Sequence, residues 1–236
     1  MLDKKLYYQL DELEKYGIVA IYTTKEYGNV MEMKGEKFIE DFSFGDKKIV
    51  AGHQMHSDNI AVVEEGSPLY FENTDGFITK RKDLVIFTKY ADCLPIYIYD
   101  RKKEIIGTVH SGWQGSFKEI GIKALKLMEE RFGSDLGDIV VAFGIGISQE
   151  CYEVGEEFLE KFAQKFDKTI VDESFMRRDG KIFFDNQKFN YLNFIKNGLE
   201  KQNIIINNLC TYSGNFHSYR RDREKSGRNG AFICFK

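Results

Sequence analysis

Apolar positions in the first half of the chain fall into short runs of extended character, and after residue 116 they recur at helical spacing. Residues 18–23, 47–54, 59–65, 75–80 and 84–90 read as strands. Upstream, Leu6, Leu10 and Leu13 share one helical face and Gly17 follows, so residues 3–16 are expected to form a short helix with a glycine stop. Two apolar runs, 94–99 and 105–109, flank the charged residues 101–104, as the arms and turn of a hairpin would. Cys93 precedes the first arm and His110 follows the second, so the hairpin brings these side chains together. Phe117, Ile120, Ala124, Leu125, Met128 and Phe132 then predict an amphipathic helix ending at Gly133. Residues 138–143 read as a strand, 156–166 as a helix, 182–184 as a strand, 189–201 as a helix, and 204–207 and 231–235 as closing strands. Strands and helices mix without strict βαβ alternation, which predicts a layered α/β (α+β) domain with mixed sheets. Residues 1–236 are expected to form one domain.

Composition narrows the partners. A net charge of −3 gives no electrostatic footprint for nucleic acid, and no apolar run approaches the length of a membrane span. The N-terminus has no secretory core, so a cytoplasmic protein with small-molecule partners is expected. Cys93, Cys151, Cys210 and Cys234 show neither CxxC spacing nor a disulfide framework.

Two of the four histidines, His56 and His110, lie at strand ends in the same half as Cys93. Thiolate and imidazole are ligands preferred by zinc and copper, and three protein ligands with an open fourth position make a catalytic type of site. The same residues also admit a metal-free arrangement, with Cys93 as nucleophile, His110 as base and a carboxylate as orienting group. Asp92 and Asp75 are the nearest candidate carboxylates, and Asp92 is the proton carrier expected here. Convergence of His56 separates the two readings, because a cysteine hydrolase needs one histidine. Gly144 and Gly146 follow an apolar strand, but residue 149 is Gln and no helix starts at once, so a dinucleotide fingerprint fails. They are read as a tight turn that lets backbone approach a neighbour. The charged stretch 217–228 suits anion or nucleotide binding through paired arginines.

Together these segments resemble the laccase-domain proteins, once called multicopper polyphenol oxidases and since described as purine nucleoside phosphorylases. The motifs are Gln54-Met55-His56-Ser57, Asp75-Gly76-Phe77-Ile78-Thr79, Ala91-Asp92-Cys93-Leu94-Pro95 and Val109-His110-Ser111-Gly112-Trp113-Gln114-Gly115, followed by Cys151-Tyr152-Glu153-Val154 and the segment from Phe216 to Arg228. The resemblance implies a metal site of His56, Cys93 and His110, taken as zinc with copper as the older assignment, in an α/β/β/α fold. It also implies phosphorolysis of adenosine, inosine, guanosine and S-methyl-5'-thioadenosine to base and ribose 1-phosphate, adenosine deamination, and in some members editing of peptidoglycan precursors. Lys25, Trp113 and Arg220 are the substrate-binding residues expected. The chain departs from the pattern where Lys25 stands for an arginine in the N-terminal segment and Gln114 for an arginine after Trp113. Lys25 supplies charge without a bidentate fork, so weaker phosphate binding is expected.

Overall fold

The computed structural model describes residues 3–236. Fifteen strands occur among them: β1 (Tyr7–Gln9), β2 (Ile18–Thr23), β3 (Lys48–Gly52), β4 (Ile60–Val62), β5 (Tyr70–Phe71), β6 (Gly76–Thr79), β7 (Leu84–Tyr90), β8 (Leu94–Asp100), β9 (Ile105–Ser111), β10 (Ile139–Phe143), β11 (Glu153–Val154), β12 (Phe175–Arg178), β13 (Lys181–Phe184), β14 (Ile204–Ile205) and β15 (Asn229–Phe235). The helices are α1 (Asp11–Glu14), α2 (Gly35–Asp41), α3 (Trp113–Phe117), α4 (Ile120–Phe132), α5 (Glu156–Lys165), α6 (Lys168–Ser174), α7 (Asn186–Lys196) and α8 (Tyr219–Asp222). One six-stranded sheet runs β1-β2-β15-β7-β3-β5, a second runs β14-β10-β8-β9-β6-β4, and a three-stranded sheet runs β11-β13-β12. Parallel and antiparallel pairings occur in both large sheets, for example β3 with β7 against β15 with β7.

Side-chain alternation along these strands builds the layers. Ile18, Ala20 and Tyr22 of β2, with Ala231, Ile233 and Phe235 of β15, face Tyr97, Tyr99, Ile106, Val140 and Ala142 of the second sheet. The opposite face of the second sheet, including Ile96, Ile98 and Val141, packs under Ile120, Ala124 and Met128 of α4 and Phe194 of α7. Val85, Phe87 and Phe232 on the outer face of the first sheet pack under Phe38 of α2. The result is the expected α/β/β/α arrangement, in which central strands buried on both faces read as near-continuous apolar runs. No helix among the described residues is long and apolar enough to cross a membrane.

Several local expectations change. Residues 3–16 do not form one helix: Tyr7–Gln9 pairs antiparallel with β2, and only Asp11–Glu14 is helical. Leu10 and Leu13 enter the layer between the sheets, whereas Leu6 packs in the outer one, so the three leucines do not share a face. The helix expected from residue 116 is two helices, broken at Glu119 with φ of 61°. The helix expected over 189–201 starts earlier at Asn186, because the Asp185 side chain accepts from the Lys188 N–H as an N-cap.

The C-terminal strand also fixes the loop before it. Asn229 is fully buried, and its amide donates to the carbonyls of Tyr90 and His217 while its oxygen accepts from the His217 N–H at 2.9 Å. An Asn229→Ala variant leaves these groups unpaired and is expected to lose about 2 kcal/mol of stability. In a chain of this size that lowers the midpoint by roughly 4–8 °C in a thermal melt followed by circular dichroism.

Candidate active site and metal centre

The β8–β9 hairpin sets Leu94 opposite Ser111 and Pro95 opposite His110, which places Cys93 beside the end of β9. His56 arrives from the connection between β3 and β4. The ligand atoms of His56, Cys93 and His110 all lie within 4.8 Å of one another, with Cys93 Sγ 3.7 Å from His56 Nε2. The two imidazole rings meet edge to face, 4.8 Å between centroids.

Asp75 organises this cluster from below. Its carboxylate is fully buried and accepts from the N–H groups of Met55, His56 and Ser57 at 2.9–3.0 Å, from Ser57 Oγ at 2.6 Å and from His110 Nδ1 at 2.8 Å. The loop wraps tightly enough to hold His56 at a left-handed φ of 57°, a strained setting for a side chain that the Asp75 contacts over-determine. Burial opposes the Asp75 charge, but the hydrogen bonds from His110 and Ser57 outweigh it and hold the carboxyl well below the usual carboxylate range.

Electrostatics then set the protonation of two of these side chains: the shift at Cys93 favours a thiolate ligand, whereas the shift at His110 favours a proton that a metal ion has to displace. Burial alone raises the pKa of the Cys93 thiol; the charge of His110, followed by hydrogen bonds from His110 and His56, reverses this and lowers it to about 6. For His110 burial favours the neutral ring, while Cys93 and Asp75 raise its pKa to about 9. With Nδ1 committed to Asp75, Nε2 of His110 is left for the cluster. One thiolate and two imidazoles, one of them oriented by a buried carboxylate, match the donor chemistry and supporting shell of a zinc or copper site. The three residues can hold a metal ion.

Gly112, between β9 and α3, gives the cluster its space. A Cβ built there falls 2.7 Å from Cys93 Sγ and 3.1 Å from His56 Cδ2. A Gly112→Ala variant is expected to fold with a displaced Cys93 and to lose at least about tenfold in metal affinity, read by competition with a coloured chelator. Behind Gly112, Ser116 Oγ donates to Asn186 Oδ1 at 2.6 Å and Asn186 Nδ2 donates to the Ser111 carbonyl at 2.7 Å, tying α3 and α7 to the end of β9.

The cluster opens into a cavity of about 610 Å³. Its size suits a nucleoside-sized ligand, since small-molecule sites commonly span roughly 300–1,000 Å³. Trp113 lines it and is backed by Phe158, with centroids 5.3 Å apart. Arg220 lines it too, with its guanidinium 5.1 Å from the Tyr152 ring and donating to the Glu153 carbonyl at 2.7 Å. Asp92 also lines it, but its oxygens accept from Thr211 Oγ1 and the Arg220 N–H, both at 2.6 Å. This carboxylate holds the C-terminal segment against the hairpin while it faces the cavity. Lys25 does not line the cavity; its ammonium lies 3.4 Å from Asp222 on the surface. Lys89, which the sequence reading passed over, does line it, as does Arg228 at the end of the charged stretch read as suited to anions. Residues 144–147 do not make the expected tight turn but run on from β10, with Gly146 bridged in parallel to Cys210; the expected close backbone approach is there, the Ile147 N–H donating to the Asp92 carbonyl at 2.9 Å behind the Cys93 strand.

Comparison with known proteins agrees with this geometry. A chain from Borreliella burgdorferi named purine nucleoside phosphorylase is 40% identical over 225 residues, covering 94% of each chain. A protein named adenosine deaminase RL5, from an unknown prokaryotic organism, is 29% identical over 194 residues, covering 76% of this chain and 72% of that one. The crystal structure of the Bacillus licheniformis protein YfiH superposes with a TM-score of 0.88 at 25% identity, covering 100% of this chain and 98% of that one. The family model described as multi-copper polyphenol oxidoreductase laccase matches residues 22–236. That match takes in the His56, Cys93 and His110 cluster, the whole second sheet and the first sheet apart from β1 and most of β2, and the chain belongs to this laccase-like family, whose members include proteins named purine nucleoside phosphorylase.

Proposed function

We propose that the chain is a metal-dependent purine nucleoside enzyme. It splits adenosine, inosine, guanosine and S-methyl-5'-thioadenosine with phosphate into the base and a ribose or methylthioribose 1-phosphate, and it deaminates adenosine as a second reaction. The observation that carries this reading is the convergence of three metal-ligating side chains on one wall of a nucleoside-sized cavity. Relatives named for both activities support it.

Zinc or copper bound by His56, Cys93 and His110 would supply Lewis acidity facing the cavity. The chain's own residues supply the rest. Trp113 offers a flat, backed wall for a purine, and Arg220 sets positive charge beside it. In phosphorolysis a phosphate oxygen forms a bond to C1′ as the C1′–N9 bond breaks, and the base leaves with the electron pair and takes up a proton. Chromatography of adenosine incubated with phosphate tests the reading. Adenine with an equal amount of ribose 1-phosphate, or inosine, is the expected product; unchanged adenosine at high enzyme concentration contradicts it.

A second reading rests on the Cys93, His110 and Asp75 alignment, which has the order of a nucleophile, base and orienting carboxylate. In that case the enzyme is an amide hydrolase, as an editor of peptidoglycan precursors would be. Such an enzyme is blocked by iodoacetamide and indifferent to chelators.

A further inference from the structure

We infer that Lys89 and Arg228 form a phosphate-binding wall of the cavity, taking the place that the sequence pattern gives to an arginine in the N-terminal segment. The inference rests on the nucleoside reading above and extends it to a named anion subsite.

Both side chains line the cavity. The β15–β7 register sets Gly230 opposite Lys89, so Lys89 lies across the sheet from the strand end that Arg228 enters, two residues upstream of Gly230. Lys89 is then fixed at the backbone. The Gln54 side chain accepts from the Lys89 N–H at 2.8 Å and donates to the Lys89 carbonyl at 3.0 Å. Gln54 lies two residues before His56, so this clamp ties the Lys89 backbone to the segment that carries His56.

Neither cation is neutralised. Among the described residues no carboxylate pairs with Lys89 or Arg228, and the Arg228 guanidinium donates to the carbonyls of Ser226 and Gly227 at 2.9 and 3.0 Å. Asp92 is the one acidic side chain in the cavity wall, and its oxygens are bound to Thr211 and the Arg220 N–H. Burial lowers the pKa of Lys89 from its ordinary value, as for a charge partly stripped of water with no counter-ion. An incoming phosphate supplies that counter-ion, and Arg228 adds a donor fork suited to two phosphate oxygens. Lys25 is instead paired with Asp222 outside the cavity.

The test measures steady-state phosphorolysis of adenosine with Lys89→Gln, Lys89→Arg and Arg228→Gln, together with calorimetric titration of each protein with orthophosphate and with adenosine 5'-monophosphate. Loss of one charged contact is expected to raise the phosphate KM by roughly tenfold or more, with less than about a twofold change in adenosine KM. Lys89→Arg is expected to recover most of the loss, which a mere folding defect would not show. Weakened orthophosphate binding in the glutamine variants identifies the co-substrate as the occupant, whereas weakening confined to the nucleotide identifies a 5'-phosphate. Unchanged phosphate KM and unchanged titrations for both ligands overturn the wall. If the parent protein binds phosphate through Lys89 yet turns over no nucleoside, the nucleoside reading fails while the anion subsite stands.

Discussion

A His56→Ala variant is expected to lose its bound metal and to turn over adenosine at least about 100-fold more slowly, because removing a direct ligand costs no less than removing a supporting residue. His56 is exposed and its side chain adds little to the core, so the variant's thermal midpoint is expected to stay within about 3 °C of that of the metal-free parent. The effect is therefore on the site and not on the fold. Metal analysis, circular dichroism and nucleoside assay of the same preparation separate the two. This substitution is more informative than one at Cys93, whose loss disables both the metal centre and a thiol nucleophile. A His56→Ala protein that keeps full activity on an amide substrate would favour the Cys93–His110–Asp75 alignment as a hydrolase.

Removing the carboxylate at residue 75 is expected to strike both stability and metal binding. In an Asp75→Ala variant the N–H groups of Met55, His56 and Ser57 and Nδ1 of His110 lose a shared acceptor in a fully buried position. Leaving buried donors unpaired in this way is expected to cost about 4 kcal/mol, lowering the thermal midpoint by roughly 8–16 °C. Asp75→Asn keeps the volume and one acceptor oxygen, so its stability loss is expected to be smaller. The amide still carries no negative charge to orient and polarise His110, and metal affinity is expected to fall by about 10- to 100-fold. Equal metal affinity in Asp75→Asn and the parent, measured against a competing chelator, would remove Asp75 from the supporting shell.

The sequence shows the His56, Cys93 and His110 cluster more clearly than the rest of the cavity, for physical reasons. The β8–β9 hairpin is legible because both arms are buried on two faces and residues 101–104 are all charged, so apolar runs and turn stand apart. Closing that hairpin necessarily brings Cys93 towards His110. His56 converges through the Asp75 contacts, which join residues far apart in the chain and leave no local spacing signal. Asp75 could be named as a nearby carboxylate, but a buried acceptor of five hydrogen bonds looks in sequence like any turn aspartate. Asp92 was equally visible, and nothing local shows that Thr211 and the Arg220 N–H occupy its oxygens.

Charge placement was harder still. Lys25 sits where the motif pattern places a cation, yet it turns to Asp222 on the surface. Lys89 stands one residue before a fully buried tyrosine near the end of β7, where a lysine reads as an ordinary solvent-facing strand position. Only pairing with β15 shows that it shares the cavity with Arg228. Short elements were missed because they have no period to detect: β5 has two residues, and α2 starts at a glycine and draws its stability from packing Phe38 on the outer sheet face. The N-terminal leucines mislead for a related reason, since helical spacing of three residues does not decide a conformation when Tyr7 and Tyr8 can extend a sheet beside β2.

The most direct test of a metal-dependent nucleoside site is metal content by mass spectrometry on the purified protein, with adenosine turnover in phosphate measured before chelation, after chelation and after zinc or copper is returned. The account predicts about one metal ion per chain, loss of turnover on chelation and recovery on return of the metal. Full turnover in protein shown to be free of metal would contradict it.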